Sequence, residues 1–189
     1  MKNAIILHGR PNREEYYSEK YPTMSNSHWL PWLQKQLLSH DIYAQTPEIY
    51  KSFEPSYEKW SREIERFDPD EKTLLVGHSC GAGMIVQWLS RNPSKKVGKV
   101  ILVAPWIDVE KDDWPAFDFD IDKNLVSRTA GLTIIHSADD VEEIQTSVKK
   151  LREDLAGAKY IEFKDKGHFT HHYMPTDTFP ELLKECLAE

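Results

Sequence analysis

The sequence predicts an α/β fold, a parallel sheet of about six strands with helices on both faces, and three observations carry that prediction. Short uninterrupted apolar runs, such as Ala4-Ile5-Ile6-Leu7 and Val100-Ile101-Leu102-Val103-Ala104, read as strands buried on both faces, as a covered parallel sheet requires. Segments with apolar residues at helical spacing alternate with these runs, the mark of strand-helix-strand units. The 189 residues suit one domain, 1–189, large enough for a sizeable core and too small for an inserted lid domain.

The elements follow in chain order. The first strand ends in His8-Gly9, and the polar, tyrosine-rich stretch from Arg10 to Ser27 shows no period, so it reads as a long loop over the carboxyl edge of the sheet. Trp29, Leu30, Trp32, Leu33, Leu37 and Leu38 recur at helical spacing, with Pro31 tolerated in the first turn, and Ile42 to Gln45 offers a short strand. Pro55 starts a segment with Trp60, Ile64 and Phe67 on one helical face, closed by Asp68-Pro69-Asp70. The strand Thr73 to Val76 leads into Gly77-His78-Ser79-Cys80-Gly81, after which Ala82, Ile85, Val86 and Leu89 form a buried helical stripe. Beyond the strand at 99–104, residues 107–128 are acidic and aromatic without a clean period, an irregular excursion with room for a helical turn. Leu132 to His136 is the next strand. Val141, Ile144, Val148, Leu151 and Leu155 then step by three and four as a helix does. Lys159 to Phe163 alternates like an exposed edge strand, and Phe179 to Leu187 makes a final helix.

Composition narrows the function classes. The 24 basic and 31 acidic residues give a net charge of −7, with no Lys/Arg cluster to neutralise phosphates, so nucleic acid is excluded as a partner. The N-terminal apolar run is too short for a signal peptide and no later run reaches a membrane span, which predicts a cytoplasmic protein with no membrane partner. Cys80 and Cys186 are expected as free thiols.

The chemistry centres on Gly77-x-Ser79-x-Gly81. A strand before it and a helix after it predict a nucleophile elbow, with Ser79 Oγ presented at the carboxyl end of the strand. A Cβ at Gly77 or Gly81 would collide with so tight a turn. The first N–H groups of the new helix, Cys80 foremost, point where an oxyanion would form. His8-Gly9, Ser79, Asp139 or Asp140, and His168 all follow strands, so one sheet edge collects them. A serine needs a histidine to take its proton and a carboxylate to hold the imidazole, and the order Ser, Asp, His is that of an α/β-hydrolase. Either aspartate satisfies this pattern, the other serving as a helix cap. The backbone amide of Arg10 is the expected second oxyanion donor. Cys80 reads as a small filler. His168, His171 and His172 would also suit a metal cluster, but no second spaced ligand motif accompanies them, so no metal and no cofactor is expected.

The chain resembles the small lid-less serine hydrolases grouped around retinoblastoma-binding protein nine and the bacterial YdeN-like proteins. Ile5-Ile6-Leu7-His8-Gly9, Trp29-Leu30-Pro31-Trp32-Leu33, Pro47, Gly77-His78-Ser79-Cys80-Gly81, Ser137-Ala138-Asp139-Asp140 and Gly167-His168-Phe169 carry the resemblance over nearly the whole length. It implies Ser79, Asp139 and His168 as the triad. It departs from the family in lacking a glycine run after His8-Gly9 and in carrying Val141-Glu142-Glu143 after the aspartates.

The resulting expectation is a three-layer α/β-hydrolase fold without a lid, cleaving short-chain esters or related acyl bonds through an acyl-enzyme. A catalytically idle fold used as a protein-binding module is the alternative. His8, His78 and Phe169 are expected beside the substrate. Trp106, Trp114, Phe117 and Phe119 are expected either as an apolar wall for the acyl group or as cover for the sheet edge, and Asp108, Asp112, Asp113, Asp118 and Asp120 as an acidic rim favouring neutral esters.

Overall fold

In the computed structural model, which describes residues 2–54, 56–111 and 114–188, six parallel strands make one sheet in the order β2-β1-β3-β4-β5-β6. The strands are β1 (Asn3–Leu7), β2 (Tyr43–Gln45), β3 (Thr73–His78), β4 (Val100–Val103), β5 (Leu132–Ser137) and β6 (Lys159–Phe163). The helices are α1 (Arg13–Tyr17), α2 (Leu30–Ser39), α3 (Tyr57–Glu65), α4 (Cys80–Arg91), α5 (Glu142–Asp154) and α6 (Pro180–Leu187). Strands β3, β4 and β5 are buried at every position, because helices cover both faces: α2 packs with α6, and α3 with α4. The order places β1 and β3 side by side inside the sheet, with Leu7 opposite Gly77. Their carboxyl ends, and the turns that follow them, are therefore neighbours.

One departure from the sequence reading falls in a connecting segment. The stretch from Arg10 to Ser27 contains α1 and a 3-10 turn at Met24–Asn26. A capping box starts α1: Asn12 accepts from the Glu15 amide at 2.8 Å while the Glu15 carboxylate accepts from the Asn12 amide at 3.0 Å. Five residues carry too few apolar positions to show a period. Helix α3 is capped by Ser56, and Pro55, read as its start, lies outside the described residues. The excursion after β4 is irregular as expected, with 3-10 turns at Pro115–Phe117 and Val126–Arg128. Among the described residues no helix is long and apolar enough to cross a membrane.

Candidate active site

Ser79 sits between β3 and α4 at φ 53° and ψ −123°, a region that a residue with a Cβ enters only under strain. Hydrogen bonds from every side hold it there. Its amide donates to Val103 O at 2.9 Å, and its carbonyl accepts from Ala82, Gly83 and Trp106 amides at 3.0, 3.2 and 3.1 Å. The flanking glycines are needed for contact reasons: a Cβ on Gly77 would lie 2.5 Å from Ala82 Cα, and one on Gly81 would run into the His8 carbonyl oxygen. The closeness of Gly81 to His8 presses the turn after β1 against the turn after β3. A Cβ on Gly9 would come within 3.1 Å of Ser79 Cβ.

His168 Nε2 lies 2.9 Å from Ser79 Oγ, and His168 Nδ1 lies 3.0 and 3.1 Å from the two carboxylate oxygens of Asp140. A carboxylate only accepts, so Nδ1 carries the proton and Nε2 is left to accept from the serine hydroxyl. The carboxylate against His168 is Asp140, which corrects the placement of Asp139 there. The turn after β5 buries the Asp140 side chain to 1 % exposure and leaves Asp139 at the surface. Asp139 instead accepts from Ser137 Oγ at 2.5 Å and from the Gly167 amide at 2.9 Å, which hold its carboxyl below the usual range. Ser137 Oγ accepts in turn from the Lys166 amide at 3.0 Å. Asp139 and Ser137 thus tie the loop that bears His168 to the end of β5.

Two buried rings fix the same loop from the other side. His78 Nε2–H donates to the His168 carbonyl at 2.8 Å, and Trp29 Nε1–H donates to the Phe169 carbonyl at 3.1 Å. Burial, with His168 and His28 nearby, holds the His78 pKa well below its ordinary value, so the ring is neutral, and its carbonyl partner requires the one ring proton to sit on Nε2. Neither the helical spacing nor the family resemblance that includes Trp29 points to its hydrogen bond with the Phe169 carbonyl. Phe169, expected beside the substrate, is fully buried at φ 54° and stacks on Phe179 at 5.4 Å. His8 is also fully buried: Nε2 accepts from the Ile49 amide at 3.0 Å and Nδ1–H donates to the Gly9 carbonyl at 2.6 Å. It fastens the end of β1 to the loop after β2 and does not line the cleft over Ser79.

A cleft of about 540 Å³ opens over Ser79 and His168, with its far wall built from the segment between Arg10 and His28. That segment carries the residues the sequence reading left unassigned, among them Tyr16, Tyr21 and His28. His28 stacks on His171 at 5.0 Å, and burial, then the neighbouring His171 and His168, lowers its pKa to about 4. The aromatics after β4 take the other of their two expected places. Trp106, Trp114 and Phe117 pack on one another at 5.1 to 5.9 Å, are buried, and do not line the cleft. Phe119 packs on Phe117 at 6.3 Å. The acidic rim is corrected too: Asp108 accepts from the Trp114 amide at 2.5 Å, Asp118 pairs with Lys111 at 2.5 Å, and Asp120 lines a different depression. Asp112 and Asp113 lie outside the described residues. Cys80, the first residue of α4, is fully buried, and burial lifts its thiol pKa well above the ordinary value, so the thiol is inert while its N–H is one of the first-turn donors that have no partner within the helix.

A parallel six-stranded sheet with a strained serine at a strand-to-helix turn, a histidine beside it and a carboxylate behind that histidine defines an α/β-hydrolase fold. The chain belongs to the serine hydrolase family, whose model matches residues 20–178. It is 28 % identical over 177 residues to YdeN of Bacillus subtilis (strain 168), a match covering 89 % of this chain and 86 % of that one. The crystal structure of the ydeN gene product superposes with a TM-score of 0.79 at 23 % identity, covering both chains completely. Est1E from Butyrivibrio proteoclasticus with ferulic acid bound shares the fold at TM-score 0.69 and 12 % identity, over 98 % of this chain and 86 % of that one. XC6422 from Xanthomonas campestris, an α/β serine hydrolase without a lid, does so at 0.60 and 15 %, over 97 % and 78 %.

Proposed function

We propose that the protein is a carboxylesterase-like hydrolase that cleaves ester or related acyl bonds through an acyl-enzyme on Ser79. The observation that carries this reading is the His168 imidazole, within hydrogen-bond reach of Ser79 Oγ on one edge and of Asp140 on the other. Ser79 Oγ attacks the carbonyl carbon while its proton passes to His168 Nε2, and Asp140 stabilises the imidazolium that forms. The carbonyl oxygen becomes an oxyanion facing the Cys80 N–H and the Arg10 N–H. The tetrahedral adduct then collapses, the bond to the alcohol breaks, and His168 gives its proton to the departing oxygen. Water, deprotonated by the same imidazole, attacks the acyl-enzyme, and the carboxylic acid leaves as Ser79 recovers its proton. The open cleft, with no lid over it, suits short acyl groups.

The test is labelling with a fluorophosphonate probe beside hydrolysis of p-nitrophenyl acetate. The expected result is an adduct mapped by mass spectrometry to Ser79, with labelling and turnover both lost in a folded Ser79→Ala variant. An adduct on Cys80, or turnover that survives Ser79→Ala, overturns the reading. Labelling of Ser79 with no turnover of any acyl substrate favours the binding-module alternative.

A further inference from the structure

Arg10 stands on the cleft wall, and among the described residues no carboxylate pairs with its charge. It is solvent-exposed, and none of the ion pairs among the described residues includes it. The buried aromatic cluster holds it instead: the guanidinium carbon lies 4.8 Å from the Trp106 ring centroid and 5.1 Å from that of Trp114. Cation–π contact of this kind does not use up the five N–H donors of a guanidinium, so donors remain for another partner. The rings expected to hold an acyl chain thus serve as the seat of a cation.

The position of that cation is close to the chemistry. Arg10 follows Gly9, which packs against Ser79, and its charge acts on the thiol of Cys80, the residue after Ser79. The carboxylates on the same cleft are occupied within the protein. Glu15 accepts from the Asn12 amide in the α1 capping box, and Glu48 accepts from the Ser25 amide at 2.8 Å. The guanidinium, by contrast, offers a planar pair of donors that matches a carboxylate in two parallel hydrogen bonds.

We propose that Arg10 forms an anion subsite of the Ser79 cleft and that the preferred substrates carry a carboxylate a few atoms from the scissile carbonyl. This rests on Ser79 being the nucleophile. It reverses the neutral-ester preference argued from acidic composition, because Asp108, Asp118 and Asp120 lie outside the cleft that Arg10 faces.

The experiment follows proton release from ethyl hydrogen succinate and ethyl hydrogen adipate, each beside its diethyl ester, for a carboxylate on the acyl side. O-acetylglycolate beside its methyl ester places the carboxylate on the alcohol side. The expected result is that kcat/KM favours the acid over the neutral ester by about tenfold or more in one of the two arms, the scale of a charge-assisted bidentate pair. Arg10→Gln keeps the backbone amide and should erase that ratio, while Arg10→Lys should keep only part of it. Equal rates for acid and neutral ester, a preference for the neutral ester, or a preference that survives Arg10→Gln overturns the subsite. Calorimetric titration of the Ser79→Ala variant with the same acids reads the subsite without turnover. Binding there that Arg10→Gln abolishes upholds the subsite even where hydrolysis fails, and absence of binding overturns it while Ser79-dependent cleavage of the diethyl esters leaves the hydrolase reading standing.

Discussion

Asp139 and Asp140 are chemically identical and adjacent; the family resemblance alone ranks them, in favour of Asp139, and the structure reverses that ranking. What separates them is the direction each side chain takes as the chain leaves β5: Asp140 turns inward to His168, and Asp139 outward to Ser137 and the Gly167 amide. Asp140→Asn should therefore lower kcat by roughly 10³- to 10⁴-fold, because an amide no longer selects the Nδ1–H tautomer or balances the imidazolium. Asp139→Asn should lower kcat by far less and act on the order of the loop that bears His168. Steady-state kinetics of both variants on one p-nitrophenyl ester decides it, and the reverse ranking would return the role to Asp139. At this scale the serine and the histidine were legible from motif and chain order. The carboxylate was not, since one residue of turn geometry chooses it.

At the scale of elements, α2 and the loop after β6 act as a unit. Trp29, at the start of α2, reaches across 140 positions of sequence to the Phe169 carbonyl, and His78 at the end of β3 does the same for the His168 carbonyl. The Trp-Leu-Pro-Trp-Leu segment was legible as a helix start and as a family mark. Its service to the histidine was not, because a hydrogen bond between distant segments leaves no local periodicity. Trp29→Phe keeps the ring packing and removes the donor, leaving a buried carbonyl unpaired at about 1–3 kcal/mol. The variant should melt several degrees lower and, with His168 less firmly held, lose kcat while KM on an acyl substrate changes little. Unchanged melting by calorimetry would show that the Phe169 carbonyl finds another donor.

The whole molecule is poised against acid. His8, His78, His136 and His28 all have pKa values lowered by burial, that of His28 to about 4. A histidine whose native pKa lies below its unfolded one binds its proton preferentially when unfolded, so each contributes a loss of stability as pH falls below about 6.5 and towards the native value. Lowered carboxylates such as Asp122 and Glu185 add a loss of the same sign only below the ordinary carboxylate range. Urea midpoints should thus be level above neutrality and fall already between about pH 6.5 and 5, where the histidines act alone. His28→Asn should flatten part of that fall, since asparagine tolerates the φ of 57° found there. A midpoint constant down to about pH 5 would show that these rings gain their protons in the native state.

The sequence by itself determined the alternation of buried strands and helices, the parallel sheet they imply, and the serine and histidine that its carboxyl edge collects. Local chemistry suffices for these, because apolar period, glycine contact and strand ends are properties of short segments. Only the tertiary structure decided which aspartate serves His168, that the Phe169 and His8 side chains are core, and that Trp106 and Trp114 carry a guanidinium rather than an acyl chain. Those outcomes depend on which surfaces meet across the sheet edge, and an aromatic residue buries itself by the same hydrophobic gain whether it faces a ligand or a neighbouring ring.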